Sequence, residues 1–92
     1  ERIIHIMVER TITVVNPSGI HARPATMVID FAKSYPGTVE VIKDGKTGNL
    51  KSILMILAMG LEKGSQITLR VNGENEEEFL DSLIEFFLNL KE

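Results

Sequence analysis

Cysteine is absent from this 92-residue sequence, which removes several functions from consideration. No disulfide framework and no thiolate metal site can form, so a reducing cytosol is the natural compartment. Histidine is scarce, and His5 and His21 alone make a poor zinc site. Positive charge is outweighed, with 10 Lys and Arg against 13 Asp and Glu and a formal charge of -3. Without a broad basic field, neither wrapping of nucleic acid nor attraction to anionic lipid is supported. The sequence has no run of about 18 uncharged apolar residues. Arg2, His5, Glu9 and Arg10 interrupt its beginning, so neither a spanning helix nor a secretory signal fits. Internal repeats, low-complexity tracts and interdomain linkers are also missing. A soluble cytoplasmic protein is expected.

What remains is one domain's worth of patterned sequence, 43% apolar and short enough for a single core to serve every element. The first methionine is Met7. Residues 1–6 read either as an artificial or misassigned start or as a true N-terminal extension, and residues 7–92 as the domain proper. Residues 8–15 are rich in β-branched side chains and end at Asn16-Pro17-Ser18-Gly19, which predicts a strand and then a loop. Ala25, Val28, Phe31, Ala32 and Tyr35 recur at helical spacing until Pro36-Gly37, so a helix begins near His21. Asp44-Gly45 between residues 38–43 and 46–49 signals a tight hairpin. Ser52 can cap a short apolar helix over 53–59, and Gly60 can end it. Residues 66–71 alternate as a half-buried strand, Asn72-Gly73 turns the chain, and Glu76, Glu77 and Glu78 open an amphipathic helix. The order β-α-β-β-α-β-α, with alternating strands, predicts an α+β two-layer sandwich. Its antiparallel sheet is covered on one face by helices and wet on the other.

The chemistry concentrates at the start of the first helix. Gly19 permits a tight approach, Pro24 is tolerated in a first turn whose N–H groups would be unpaired anyway, and His21 falls at or beside the N-cap. Such a helix end favours an anion over an imidazolium, which suits a histidine acting as a nucleophile. A phosphoryl group carried on the ring would present its oxygens to the first-turn N–H groups, Ala22 among them, with Arg23 adding charge-assisted contacts. No acidic partner, serine nucleophile or metal cluster accompanies His21, so hydrolytic chemistry is not indicated. The plain alternative is that His21 is only a cap, as Asn would be.

The run Gly19-Ile20-His21-Ala22-Arg23-Pro24-Ala25-Thr26 resembles the active-site motif of the HPr family, the histidine-containing phosphocarriers of the phosphoenolpyruvate-dependent sugar phosphotransferase system. Asp44-Gly45-Lys46-Thr47, Asn49-Leu50-Lys51-Ser52-Ile53, Leu57 and Gly60-Leu61 are similar in type and spacing to the family's second half, and the resemblance runs from Met7 onward. It implies an open-faced sandwich with four strands in the order 1-4-2-3 under three helices. It also implies phosphorylation of His21 on Nδ1, a phosphate-contacting role for Arg23, and a capping or hydrogen-bonding role for Ser18. Met55 departs from the pattern, standing where members more often carry glycine or a polar residue.

Ser52 read alone is a helix cap. The resemblance adds regulatory phosphorylation by an HPr kinase/phosphorylase, which is compatible with capping because a helix N-terminus tolerates phosphate. The stretch 53–59 is too apolar for a helix with one buried side. Ile56 and Met59, with Leu61 beyond, suit the core, while Ile53, Leu54 and Leu57 share another face. By resemblance that face docks partner proteins. Two motifs carry no function: Gly45-Lys46-Thr47 lacks the upstream glycine of a phosphate-binding loop, and Pro17 disqualifies Asn16-Pro17-Ser18 as a glycosylation site.

The expected function is a phosphoryl carrier rather than an enzyme. It would take phosphate from Enzyme I onto His21 and pass it to sugar-specific IIA domains, as a monomer without cofactor or metal. The alternative from another class is a regulatory module acting through Ser52 on a catabolite-control transcription factor. His21 argues against that as the sole role, since regulatory relatives outside the relay typically lack it. An unrelated ligand-binding domain would leave the His-Ala-Arg-Pro run unexplained.

Overall fold

The computed structural model describes residues 7–17 and 19–90; residues 1–6 and Ser18, both singled out above, lie outside the described residues. The elements run β1 (Val8–Thr13), α1 (Ala22–Lys33), β2 (Thr38–Lys43), β3 (Lys46–Asn49), α2 (Ile53–Met59), β4 (Gln66–Asn72) and α3 (Glu76–Leu88). The four strands form one antiparallel sheet in the order β1-β4-β2-β3, which is the expected α+β open-faced sandwich.

Two conformational devices fix the path of the chain. Asp44 and Gly45 both have positive φ, 52° and 79°. That pair matches the twist of the flanking strands and sets the Lys43↔Lys46 register of the β2–β3 hairpin. At the other end of the sheet β1 stops at Thr13, two residues before its β-branched run does. Val14 leaves the ladder to bond the loop before β4, its N–H donating to the Ser65 carbonyl at 2.9 Å and its carbonyl accepting from Gly64 at 2.8 Å. Its side chain is buried there.

Strand alternation sorts the side chains between the two faces of the sheet. Val39 and Val41 of β2 and Ile67, Leu69 and Val71 of β4 are buried against Ala25, Val28 and Ala32 of α1, Ile56 of α2, and Leu80, Leu83 and Phe87 of α3. The opposite face carries polar pairs: Arg70 reaches Glu9 at 2.9 Å and Glu40 at 3.5 Å across three strands, and the Thr11 and Thr68 hydroxyls bond at 2.9 Å. Hydrogen bonding to Glu9, with the charges of Glu9 and Glu40, raises the pKa of Arg70.

Candidate functional site

His21 is the N-cap of α1, in extended conformation at φ -99° and ψ -165°, and its side chain makes no capping hydrogen bond. It is solvent-exposed, as are Ala22 and Arg23 in the turn that follows. The helix closes on the backbone alone, Ala25 N–H donating to the His21 carbonyl at 2.8 Å. Pro24 and Ala25 turn inward and are buried. Because Pro24 has no N–H, the donors left at this helix start are those of Ala22 and Arg23. The Arg23 guanidinium forms no ion pair among the described residues. An imidazole, two backbone donors and a cation therefore share one exposed turn.

The loop leading to His21 is held at several points. Asn16 accepts from Gly19 N–H at 2.9 Å, closing a turn, and Ile20 N–H donates to the Leu61 carbonyl at 2.7 Å. Gly19 sits at φ +73° so close to the next segment that a Cβ would lie 2.6 Å from the Leu61 oxygen and 3.0 Å from Glu62 Cα. Both obstacles are backbone, so glycine is required for this approach. The Ile20–Leu61 bond also ties the His21 loop to the residues just after α2.

Ser52 is the N-cap of α2, its Oγ accepting from Met55 N–H at 3.4 Å. Gly60 ends the helix in the left-handed conformation at φ 63°. As expected, Ile56 and Leu61 are buried and Met59 packs against the core. Leu54 is 78% exposed, and Ile53, Met55 and Leu57 are 39%, 41% and 42% exposed. This apolar surface belongs to a helix packed beside α1. The Ile20–Leu61 bond puts the C-terminal end of α2 beside the His21 loop, and Ser52 caps the other end of this seven-residue helix, which is about 10 Å long.

Lys43 is a contributor that the pattern of residues did not reveal. Its Nζ donates to the carbonyls of Met59 at 3.2 Å and Gly60 at 2.9 Å, placing a cation on the C-terminal end of α2. A lysine closing a strand before Asp-Gly reads as solvated, and only the tertiary fold brings it under that helix. Among the described residues no cluster of three or more His, Asp or Glu side chains could hold a metal ion. No helix among them is long and apolar enough to cross a membrane.

Residues 8–89 match the family description "PTS HPr component phosphorylation site". The chain belongs to the HPr family. The phosphocarrier protein HPr of Lysinibacillus sphaericus is 44% identical over 71 residues, which cover 77% of this chain and 81% of that protein. The phosphocarrier protein HPr of Buchnera aphidicola subsp. Baizongia pistaciae is 33% identical over 85 residues, 92% of this chain and 100% of that one. The crystal structure of a phosphocarrier protein HPr from Bacillus anthracis superposes with a TM-score of 0.84 at 34% identity, covering 89% of this chain and 98% of that one. Membership in HPr makes the chain a phosphocarrier of the phosphotransferase system, a protein that takes on and hands over a phosphoryl group rather than an enzyme.

Proposed function

We propose that His21 is the residue that carries the phosphoryl group, accepting it on Nδ1 from phospho-Enzyme I and surrendering it to sugar-specific IIA domains. The observation that carries this reading is the position of His21: an exposed N-cap whose imidazole does not cap its own helix. In the neutral ring, with its proton on Nε2, the Nδ1 lone pair attacks phosphorus. The N–P bond forms as the bond from phosphorus to its donor breaks. The phosphoryl oxygens then face the N–H groups of Ala22 and Arg23, and the Arg23 side chain supplies charge-assisted contacts. Ser18 takes a capping or hydrogen-bonding role by its resemblance to the family's loop position. Because these donors belong to a preformed helix start, the group is held without rearrangement and can be passed on.

Ile53, Leu54 and Leu57 form the docking surface for Enzyme I and the IIA domains, and methionines beside them suit repacking against more than one partner. Ser52, at the far end of that helix, is a regulatory phosphorylation site for an HPr kinase/phosphorylase, with a catabolite-control transcription factor as a reader. The protein works in the cytoplasm as a monomer, with residues 7–92 as the carrier domain and residues 1–6 preceding it.

Incubation with Enzyme I and phosphoenolpyruvate, followed by intact mass and a brief acid treatment, tests the central claim. One phosphate that acid removes, mapped to His21, is the expected result. Uptake of none, or of an acid-stable phosphate elsewhere, overturns it.

A further inference from the structure

Among the described residues, Asn16 is the one member of the buried set that is polar or charged, apart from the lone tyrosine, at 3% exposure. Among the described residues, its side-chain hydrogen bond lies outside its own strand and loop. Nδ2 crosses to the other end of the chain and donates to the Leu90 carbonyl at 3.3 Å, just beyond α3. Its backbone carbonyl meanwhile closes the turn that contains the close-packed Gly19. The segment entering α1 thus has backbone anchors at Val14 and Ile20 and, between them, one side-chain anchor that reaches α3. An amide buried at the cost of its hydration, whose side-chain hydrogen bond among the described residues goes to a carbonyl 74 residues away, serves to fix that loop.

We propose that Asn16 is a positioning residue for phosphoryl acceptance: by holding the loop against the end of α3 it sets the angle at which His21 and the N–H groups of Ala22 and Arg23 converge. The inference rests on the carrier reading above. It concerns the transfer step and not docking, since the exposed apolar face belongs to α2, which Asn16 does not bond.

The test measures phosphorylation of full-length protein by Enzyme I, with KM for the carrier separated from kcat, for wild type, Asn16→Ala and the near-isosteric Asn16→Asp. Both substitutions should lower kcat by about tenfold or more, as a small misplacement of reacting groups does. KM should be unchanged, and the amide resonances of Ala22 and Arg23 should shift while those of α2 stay in place. A purely structural role would lower the melting temperature and leave kcat of the folded fraction at the wild-type value, which overturns the proposal. So does a wild-type Asn16 carboxamide whose protons exchange with solvent as fast as those of free asparagine, a measurement that needs no variant to fold. If wild type takes up phosphate normally and the variants match it, only this inference fails. If wild type takes up none, the carrier reading fails and takes the inference with it.

Discussion

His21 and Arg23 lie on a turn whose other residues do the structural work. Pro24 and Ala25 enter the core, while His21 and Arg23 face solvent. The proposed chemistry and the stability should therefore be separable by substitution. His21→Ala should change unfolding free energy by no more than about 0.5 kcal/mol, as exposed substitutions generally do, while abolishing phosphate uptake. Arg23→Ala should slow uptake by about tenfold, the worth of one hydrogen bond to a charged group, without stopping it, because the backbone donors remain. Rapid-quench transfer from Enzyme I beside a denaturation curve reads both quantities. A His21→Ala protein that is phosphorylated at the normal rate removes the residue from the site, and an Arg23→Ala protein with wild-type kinetics removes the arginine.

The short helix α2 joins a cap, an exposed apolar face and a C-terminus held by Lys43. Placing a negative charge on Ser52 should leave the helix standing, since the dipole favours an anion at that end, but it should impose repulsion and desolvation beside Ile53 and Leu54 in a complex docked on the proposed α2 surface. Ser52→Asp should accordingly weaken association with Enzyme I and slow His21 phosphorylation at sub-saturating Enzyme I, with the melting temperature nearly unchanged. Unaltered transfer would place Ser52 outside the contact, and transfer lost only in step with unfolding would leave it a cap. Elements such as α2 were legible in the sequence because each announces its ends locally: Ser52 and Gly60 here, Asp44-Gly45 in the hairpin, Glu76 to open α3. The His21 helix start was legible for the same reason. Asn16 and Lys43 were not, because their partners, Leu90 and Met59 with Gly60, are distant in sequence, and no periodicity encodes a side chain that leaves its own element. β1 ends two residues short of the expected strand: Val14 and Val15 have strand propensity, but Val14 bonds a loop instead.

Across the whole molecule, the proposed carrier site and its apolar neighbour lie on the helical layer, and a row of aromatic rings runs between α1 and α3 in the same layer. Phe86 stacks on Phe31 at 4.6 Å, Phe31 on Phe79 at 5.4 Å, and Phe79 on Tyr35 at 4.3 Å. Tyr35 joins this row to the turns around it. Its hydroxyl donates to the Glu74 carbonyl at 2.7 Å, and its own carbonyl and that of Gly37 accept from Lys51 Nζ at 2.6 Å and 2.8 Å. The end of α1, the turn before α3 and the residue preceding Ser52 thus meet at one residue, Tyr35, through its hydroxyl and its backbone carbonyl. Burial raises the Tyr35 pKa above its ordinary value of 10.0, and the carboxylates of Glu76 and Glu74 push it further. A folded-state pKa above the unfolded one means that the native protein holds its phenolic proton more tightly. The stabilisation is complete below about pH 10 and is lost as pH rises through the folded value. Because Tyr35 is the single tyrosine and tryptophan is absent, phenolate absorbance follows this group alone. The expected result is ionisation in the folded protein at higher pH than in the urea-unfolded chain. Unfolding free energy should also fall more steeply above about pH 10 in wild type than in Tyr35→Phe, which is less stable at neutral pH by about 1 kcal/mol for the missing hydrogen bond. Lysine titration acts on both proteins and cancels in the comparison. Parallel alkaline limbs for the two proteins, or a phenol that ionises at the same pH folded and unfolded, would show that Tyr35 does not couple the protonation of this junction to the fold.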